Sequence, residues 1–242
     1  MNKEVIFIAD DFGITSEVNA AIAQTHVSGV LHGAALMTSQ SCTKEAVRIA
    51  QNLPELQIGW HLHLNDSRPA TLGSSDWPWG SSPAWAGIRI TFSRSARQIM
   101  RDEIARQWDL FQNTGLVCRF VNCHHHLHAH PLIFETLVET LGPQFGGWIR
   151  LGHVRFFSSG QQLFHPSMVA IDTLFQRERK LSTWRSPDTL WGLDRLFAMK
   201  AQEVSHAIAN LPPGFHEFLF HPRSSSCPDT RCLLELKTLL PS

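Results

Sequence analysis

The sequence predicts an α/β fold of parallel βα units, the architecture of a (β/α) barrel, and three features carry that reading. Short apolar runs that suit strands buried on both faces alternate with helical segments along most of the 242 residues. Ionisable residues gather where those runs end, and on a parallel barrel the strand C-termini converge on one rim. Hydrophobic residues make up 43% of the chain and charged residues 17%, which supplies a sizeable core and excludes a disordered polymer. No repeat or charge block marks a linker, so residues 1–242 are expected to form one domain.

The elements follow in order. Val5–Ala9 is a continuous apolar run that reads as a buried strand and stops at Asp10-Asp11-Phe12-Gly13. Thr15-Ser16-Glu17 supplies capping chemistry for a helix with Val18, Ala21, Ile22 and Thr25 on one side, closed by Gly29. Leu31–Met37 is a second strand, Thr43–Asn52 a helix ended by Pro54, and Gln57–Leu64 a third strand. A helix over Ser95–Asn113 leads to a strand at Leu116–Asn122 and a helix at Pro131–Leu141. Trp148–Leu151, a helix over Leu196–Asn210 and a strand at Phe215–Phe220 complete the series.

Two stretches depart from the pattern. Asn65–Ile90 is rich in Ser, Pro, Gly and Trp and lacks a helical period, so it is expected to be a long loop on the active rim, at about 65–90. Its Trp77, Trp79 and Trp85 either stack on a ligand or fix the loop to the barrel. Residues 152–195 mix Phe156, Phe157, Phe164 and Phe175 with Arg177, Arg179 and Lys180, and give no clear element.

Composition excludes several function classes. The 21 Lys+Arg balance the 21 Asp+Glu, so no basic surface points to nucleic acid or an anionic membrane as partner. Val5–Ala9 is too short for a signal-peptide core, and no run approaches the roughly 18 apolar residues of a membrane span. The expected location is cytoplasmic, and the five cysteines, without a regular framework, are expected to be reduced. The oligomeric state stays open, a homodimer being one option.

Histidine is the anomaly: 14 in the chain, five of them within His124–His130. Asp10-Asp11, His61 with His63, His124–His128 and His221 each follow or end a separate strand, so one rim receives all four groups. Along Gly59–Leu64 the alternation of side chains puts Trp60 and Leu62 toward the helices and His61 and His63 inward. Either imidazole alone reads more readily as a core histidine, and it is the position of His61 relative to Asp10-Asp11 and the second histidine cluster that turns it toward a site. Two adjacent carboxylates after an apolar strand are costly to bury without a cation or donors. A divalent ion could take one and leave the other as a base, while an Asp turn before the helix is the plainer alternative. The run at His124–His130 can give about two ligands to one ion, and Cys123 beside it reads as core.

At these residues the chain resembles the YdjC-like family of carbohydrate deacetylases. The resemblance is carried by Ile8-Ala9-Asp10-Asp11-Phe12-Gly13, Val18-Asn19 with Ala21-Ile22, Gly59-Trp60-His61-Leu62, His124-His125-His126-Leu127-His128 and Phe220-His221-Pro222. It implies an irregular (β/α) barrel of the glycoside hydrolase/deacetylase type holding one divalent ion, magnesium first with zinc or manganese as alternatives. By position it implies Asp11, His61 and His124 as metal ligands, Asp10 as the base and His221 as the acid. The chain departs from the family at Asn122-Cys123, where Asp-Ser is usual, so a carboxylate that would orient an imidazole is absent. The reaction so implied is metal-assisted removal of an acetyl group from an N-acetylated amino sugar. A metal hydrolase of another amide or ester, or a barrel that binds metal or sugar without turnover, are the rival readings. No glycine-rich phosphate loop favours a phosphoesterase.

Overall fold

The computed structural model describes residues 2–72, 76–157 and 166–240. Lys3–Phe12 (β1) leads to helix Ser16–Ser28 (α1), where Thr15 caps the helix by accepting the Val18 N–H. Gly33–Leu36 (β2), Thr43–Asn52 (α2) and Gln57–Leu62 (β3) repeat the unit. Two helices, Pro83–Phe92 (α3) and Arg94–Gln112 (α4), separate β3 from Phe120–Cys123 (β4). Pro131–Leu141 (α5), Trp148–Ile149 (β5) and His153–Arg155 (β6) follow. The chain continues through Pro166–Leu181 (α6), Thr189–Trp191 (β7), Ala201–Ala209 (α7), Gly214–Phe220 (β8) and Pro228–Leu239 (α8).

All eight strands are parallel and lie in the order β5-β4-β3-β2-β1-β8-β7-β6. The sheet curls as a barrel does, but among the described residues β5 and β6 do not pair, leaving a half-barrel with a seam. Chain geometry explains the seam, since only three residues separate β5 from β6 and no helix can cross between them. Among the described residues no helix is long and apolar enough to cross a membrane.

Side-chain alternation sorts the strands into an outer and an inner face. Phe7, Ala9, Trp60, Leu62, Val121, Phe218 and Phe220 face the helices in one large core. Ile6, Ile8, Ala35, Phe120, Trp148 and Phe215 fill the inside as a separate apolar plug. Gly59 makes room for that plug, because a Cβ there would lie 2.3 Å from the Phe120 ring. Above the plug, toward the strand C-termini, the inner positions become polar.

Two expectations change, and the choice left open for Trp77 and Trp79 is settled. The stretch expected to be loop as far as Ile90 turns helical at Pro83, with Ser82 capping, Pro83 in the first turn, and Ala86 and Ile90 buried one turn apart. Trp77 and Trp79 are 6% and 2% exposed and stack on each other at 5.4 Å, so they belong to the core. Their indole N–H groups donate to the Ser67 and Leu64 carbonyls. The helix expected from Leu196 starts at Ala201. Phe197 takes a left-handed φ of 59°, and the Met199 N–H goes to the Asp229 carboxylate at 3.1 Å, so the chain there is not on a helical path.

Candidate metal centre

Neighbouring residues on a regular strand point to opposite faces, so Asp10 and Asp11 could not both reach the interior without a break. The register of β1 against β2 shifts between Ala9 and Phe12, and Asp11 adopts φ 66°. This bulge turns Asp11 to the same side as Asp10. Gly13, at φ 100°, lets the chain leave the strand, and its N–H donates to Asn19 Oδ1 at 2.8 Å.

Asp11, His61 and His124 come together, with one ligand atom of each within 4.8 Å of the others. Asp11 Oδ1 lies 3.3 Å from His61 Nε2 and 3.1 Å from His124 Nδ1. His61 is an inward residue of β3, whereas His124 opens a 3-10 turn, His124–Ala129, directly after β4.

The proton positions around His61 follow from chemistry. Asn122 sits beside His61 in the parallel register, and its amide N–H donates to Asp10 Oδ1 at 2.8 Å. An ionised carboxylate only accepts, so the amide oxygen faces His61 Nδ1, 2.6 Å away, and Nδ1 carries the proton. His61 Nε2 therefore presents a lone pair to Asp11 Oδ1. Both atoms are buried without a hydrogen-bond partner. Two buried acceptors at this separation need positive charge between them. Burial opposes a charge on His61, but Asp10 and Asp11 outweigh it and raise its pKa. The field that attracts a proton there attracts a metal cation equally, so the residues fit such an ion. Burial likewise opposes ionisation of Asp11, yet contacts from His124 and His61 hold its pKa well below the usual range.

Below this triad lies a buried ionic layer that the sequence did not reveal. Arg150 donates to Asp10 Oδ2 at 2.6 Å and Oδ1 at 3.0 Å, and to Glu217 Oε1 from Nε at 2.7 Å. All three side chains are almost wholly buried. Burial pushes the Asp10 carboxyl up, but Arg150 and then His61 override it and keep Asp10 ionised. Glu217, whose Oε2 has no partner, is instead pushed up by burial to about 7 despite Arg150. A charged residue inside Trp148-Ile149-Arg150-Leu151, or inside Phe215-His216-Glu217-Phe218, was the available signal, because a buried charge requires a partner.

His221 follows β8 and faces the same cavity of about 620 Å³ as Asp10, Asp11 and His124. Its backbone N–H donates to Asp229 Oδ2 at 2.7 Å, and its ring meets Phe197 edge-on at 5.3 Å. Burial lowers the His221 pKa although Asp11 and Asp10 act to raise it. Phe197 also carries the Arg223 guanidinium at 4.0 Å from its ring centre. Ile14, Met168, Ile171 and Leu193 give the cavity an aliphatic wall.

His63, expected to point inward, lies beyond the end of β3, and its ring is held by Ser67 Oγ at 2.8 Å and Ser39 Oγ at 3.0 Å. Gln107 of α4 bonds its backbone at both N–H and carbonyl. It therefore secures the rim segment instead of joining the triad. Nearby, Glu103 accepts from the Ala70 and Thr71 N–H groups at 2.6 and 2.8 Å, fastening the same segment to α4. Cys123 is buried, and burial pushes its thiol pKa up, which agrees with a core residue.

A curled parallel sheet whose C-terminal rim brings a carboxylate and two imidazoles over a fixed ionic layer defines an α/β-barrel protein with a candidate cation site. The chain belongs to the YdjC-like family, whose model matches residues 4–237. It is similar to the carbohydrate deacetylase of Vibrio cholerae serotype O1 (strain ATCC 39541 / Classical Ogawa 395 / O395), 35% identical over 139 residues, 56% of this chain and 54% of that protein. The carbohydrate deacetylase of Geobacillus stearothermophilus is 33% identical over 146 residues, 60% of this chain and 58% of that protein. The chain thus spans between half and two thirds of the length of these curated relatives. In fold it is similar to a crystal structure from Enterococcus faecalis V583, described as a candidate cellobiose-phosphate cleavage protein. The TM-score is 0.64 at 19% identity, covering 99% of this chain and 94% of that one.

Proposed function

We propose that this protein is a metal-dependent hydrolase that removes an acetyl group from an N-acetylated amino sugar. The observation that carries this reading is the pair of buried acceptors, Asp11 Oδ1 and His61 Nε2, facing each other at 3.3 Å. Membership of the YdjC-like family and the carbohydrate deacetylases among its relatives supply the substrate class.

Asp11, His61 and His124 would hold the ion. One carboxylate and two imidazoles suit zinc or manganese better than magnesium, which prefers oxygen donors. When bound, a divalent ion supplies a Lewis acid that polarises the scissile carbonyl and acidifies water. Asp10 accepts a proton from the attacking water, and Arg150 and Asn122 keep that carboxylate ionised and aimed. His221 delivers a proton to the departing amine. Because burial lowers its pKa, the neutral ring first takes a proton from solvent through the cavity, gives it to the amine and returns neutral, while the proton that Asp10 took from water leaves to solvent.

The test is mass-spectrometric detection of acetate released from a panel of N-acetylated amino sugars, with and without chelator. Chelator-sensitive release is expected. Release of another acyl group, or hydrolysis of an ester only, would favour the broader metal-hydrolase reading.

A further inference from the structure

A second group of potential ligands stands at the mouth of the same cavity. One ligand atom each of Asp66, His124 and His125 lies within 4.8 Å of the others. His125 Nε2 is 3.5 Å from Asp66 Oδ2, and the His124 and His125 rings are 4.2 Å apart between centres. Asp66 and His125 both hold left-handed backbone, at φ 49° and 52°, although neither is glycine. Asp and His adopt this region more readily than most residues, and here it turns the two side by side toward the cavity. Glu103 and Gln107 fix the segment that carries Asp66 from beneath, so the group is held by two separate parts of the chain.

We propose that Asp66, His124 and His125 form a second cation site, outside the inner triad, that takes a zinc-type divalent ion. Two imidazoles and a carboxylate are the donors that such ions prefer over magnesium or calcium. His124 belongs to both groups. Its Nδ1 faces Asp11, so with that nitrogen given to the inner ion Nε2 joins the outer ion by releasing its N–H proton to solvent, and the ring bridges the two ions as an imidazolate. Three protein ligands leave coordination positions open toward the cavity, so an ion there sits in the path of substrate. Zinc in excess of one equivalent then obstructs entry.

Isothermal titration calorimetry with zinc alone, on the whole chain, tests this. Wild type is expected to bind two equivalents, the second more weakly. The double variant Asp66→Ala/His125→Ala keeps only the first, and either single variant weakens the second by at least about tenfold. Circular dichroism verifies that the variants fold. Cobalt provides an independent reading, since its visible absorption for the second equivalent should need a higher cobalt concentration in His125→Ala and vanish in the double variant. A single equivalent in wild type, or two in the double variant, would overturn the site. No substrate is present in these measurements, so their outcome is separate from the deacetylase reading.

Discussion

Asn122 and His61 are joined by a 2.6 Å contact that decides which imidazole nitrogen is free for a metal. The departure from the family's Asp-Ser at this point does not leave the imidazole unsupported. An amide does what a carboxylate would do for His61, and in addition it donates to Asp10. Asn122→Leu should therefore lower metal affinity by about 10- to 100-fold. Asn122→Asp should keep affinity within about tenfold, because it can still accept from Nδ1. Competition dialysis against a chelator measures both. Wild-type affinity in Asn122→Leu would mean that His61 is oriented by packing alone.

Arg150 is the only guanidinium between Asp10 and Glu217 among the described residues. Arg150→Met would leave two carboxylates in an apolar interior, and breaking a buried ion pair in this way costs about 3–5 kcal/mol. Urea denaturation should register that loss, and turnover should fall with it because Asp10 loses its orientation. A variant within about 1 kcal/mol of wild type would show that the layer is hydrated or adjusts freely.

Acid should destabilise the chain from about pH 6.5 downward through its buried histidines. His128 is buried, donates to the Arg150 carbonyl at 2.7 Å, and burial lowers its pKa from 6.5 to about 3. Between those values the unfolded chain carries a proton at this residue and the folded chain does not. The contribution is therefore complete above pH 6.5 and is lost as pH falls toward 3, by up to about 1.4 kcal/mol per pH unit. His63 and His126, both shifted down by burial, act with the same sign. Melting at about pH 7.5 and about pH 5 should show a smaller drop in Tm for His128→Gln than for wild type. Equal drops would remove His128 from the account.

Ligand and proton-transfer roles fail differently. Asp11→Asn should lose both the ion and turnover, since an amide lacks the anionic charge that favours a divalent cation. Asp10→Asn and His221→Ala should keep the ion and lose turnover by roughly 10²- to 10⁴-fold, the range for a positioned acid or base. Metal content and turnover of the three proteins separate the roles. Loss of metal in His221→Ala would make that residue a ligand.

The alternation of strands and helices, and the convergence of Asp10, Asp11, His61, His124 and His221 on one rim, were legible because both follow from periodicity and strand direction. The bulge at Asp11 was not, since alternation alone sends adjacent side chains apart. His63 escapes the alternation because β3 ends at Leu62, one residue before it. The α3 helix was hidden by Trp85 and Gly87, although Ser82-Pro83 already carried a helix-start signal. The short strands β6 and β7 lack the length on which a period can be read. The pairing of Arg150 with Glu217 is not visible in the sequence because each is one charge within an apolar run and 67 residues separate them.

The most direct measurement of the central claim is acetate release by protein stripped with chelator and then resupplied with a divalent ion, in wild type and in Asp11→Asn. Wild type should lose acetate release on stripping and regain it with zinc or manganese at one equivalent, while Asp11→Asn stays inactive throughout. Full acetate release by stripped wild type, or equal restoration in Asp11→Asn, would contradict the claim that a cation held by Asp11, His61 and His124 drives the reaction.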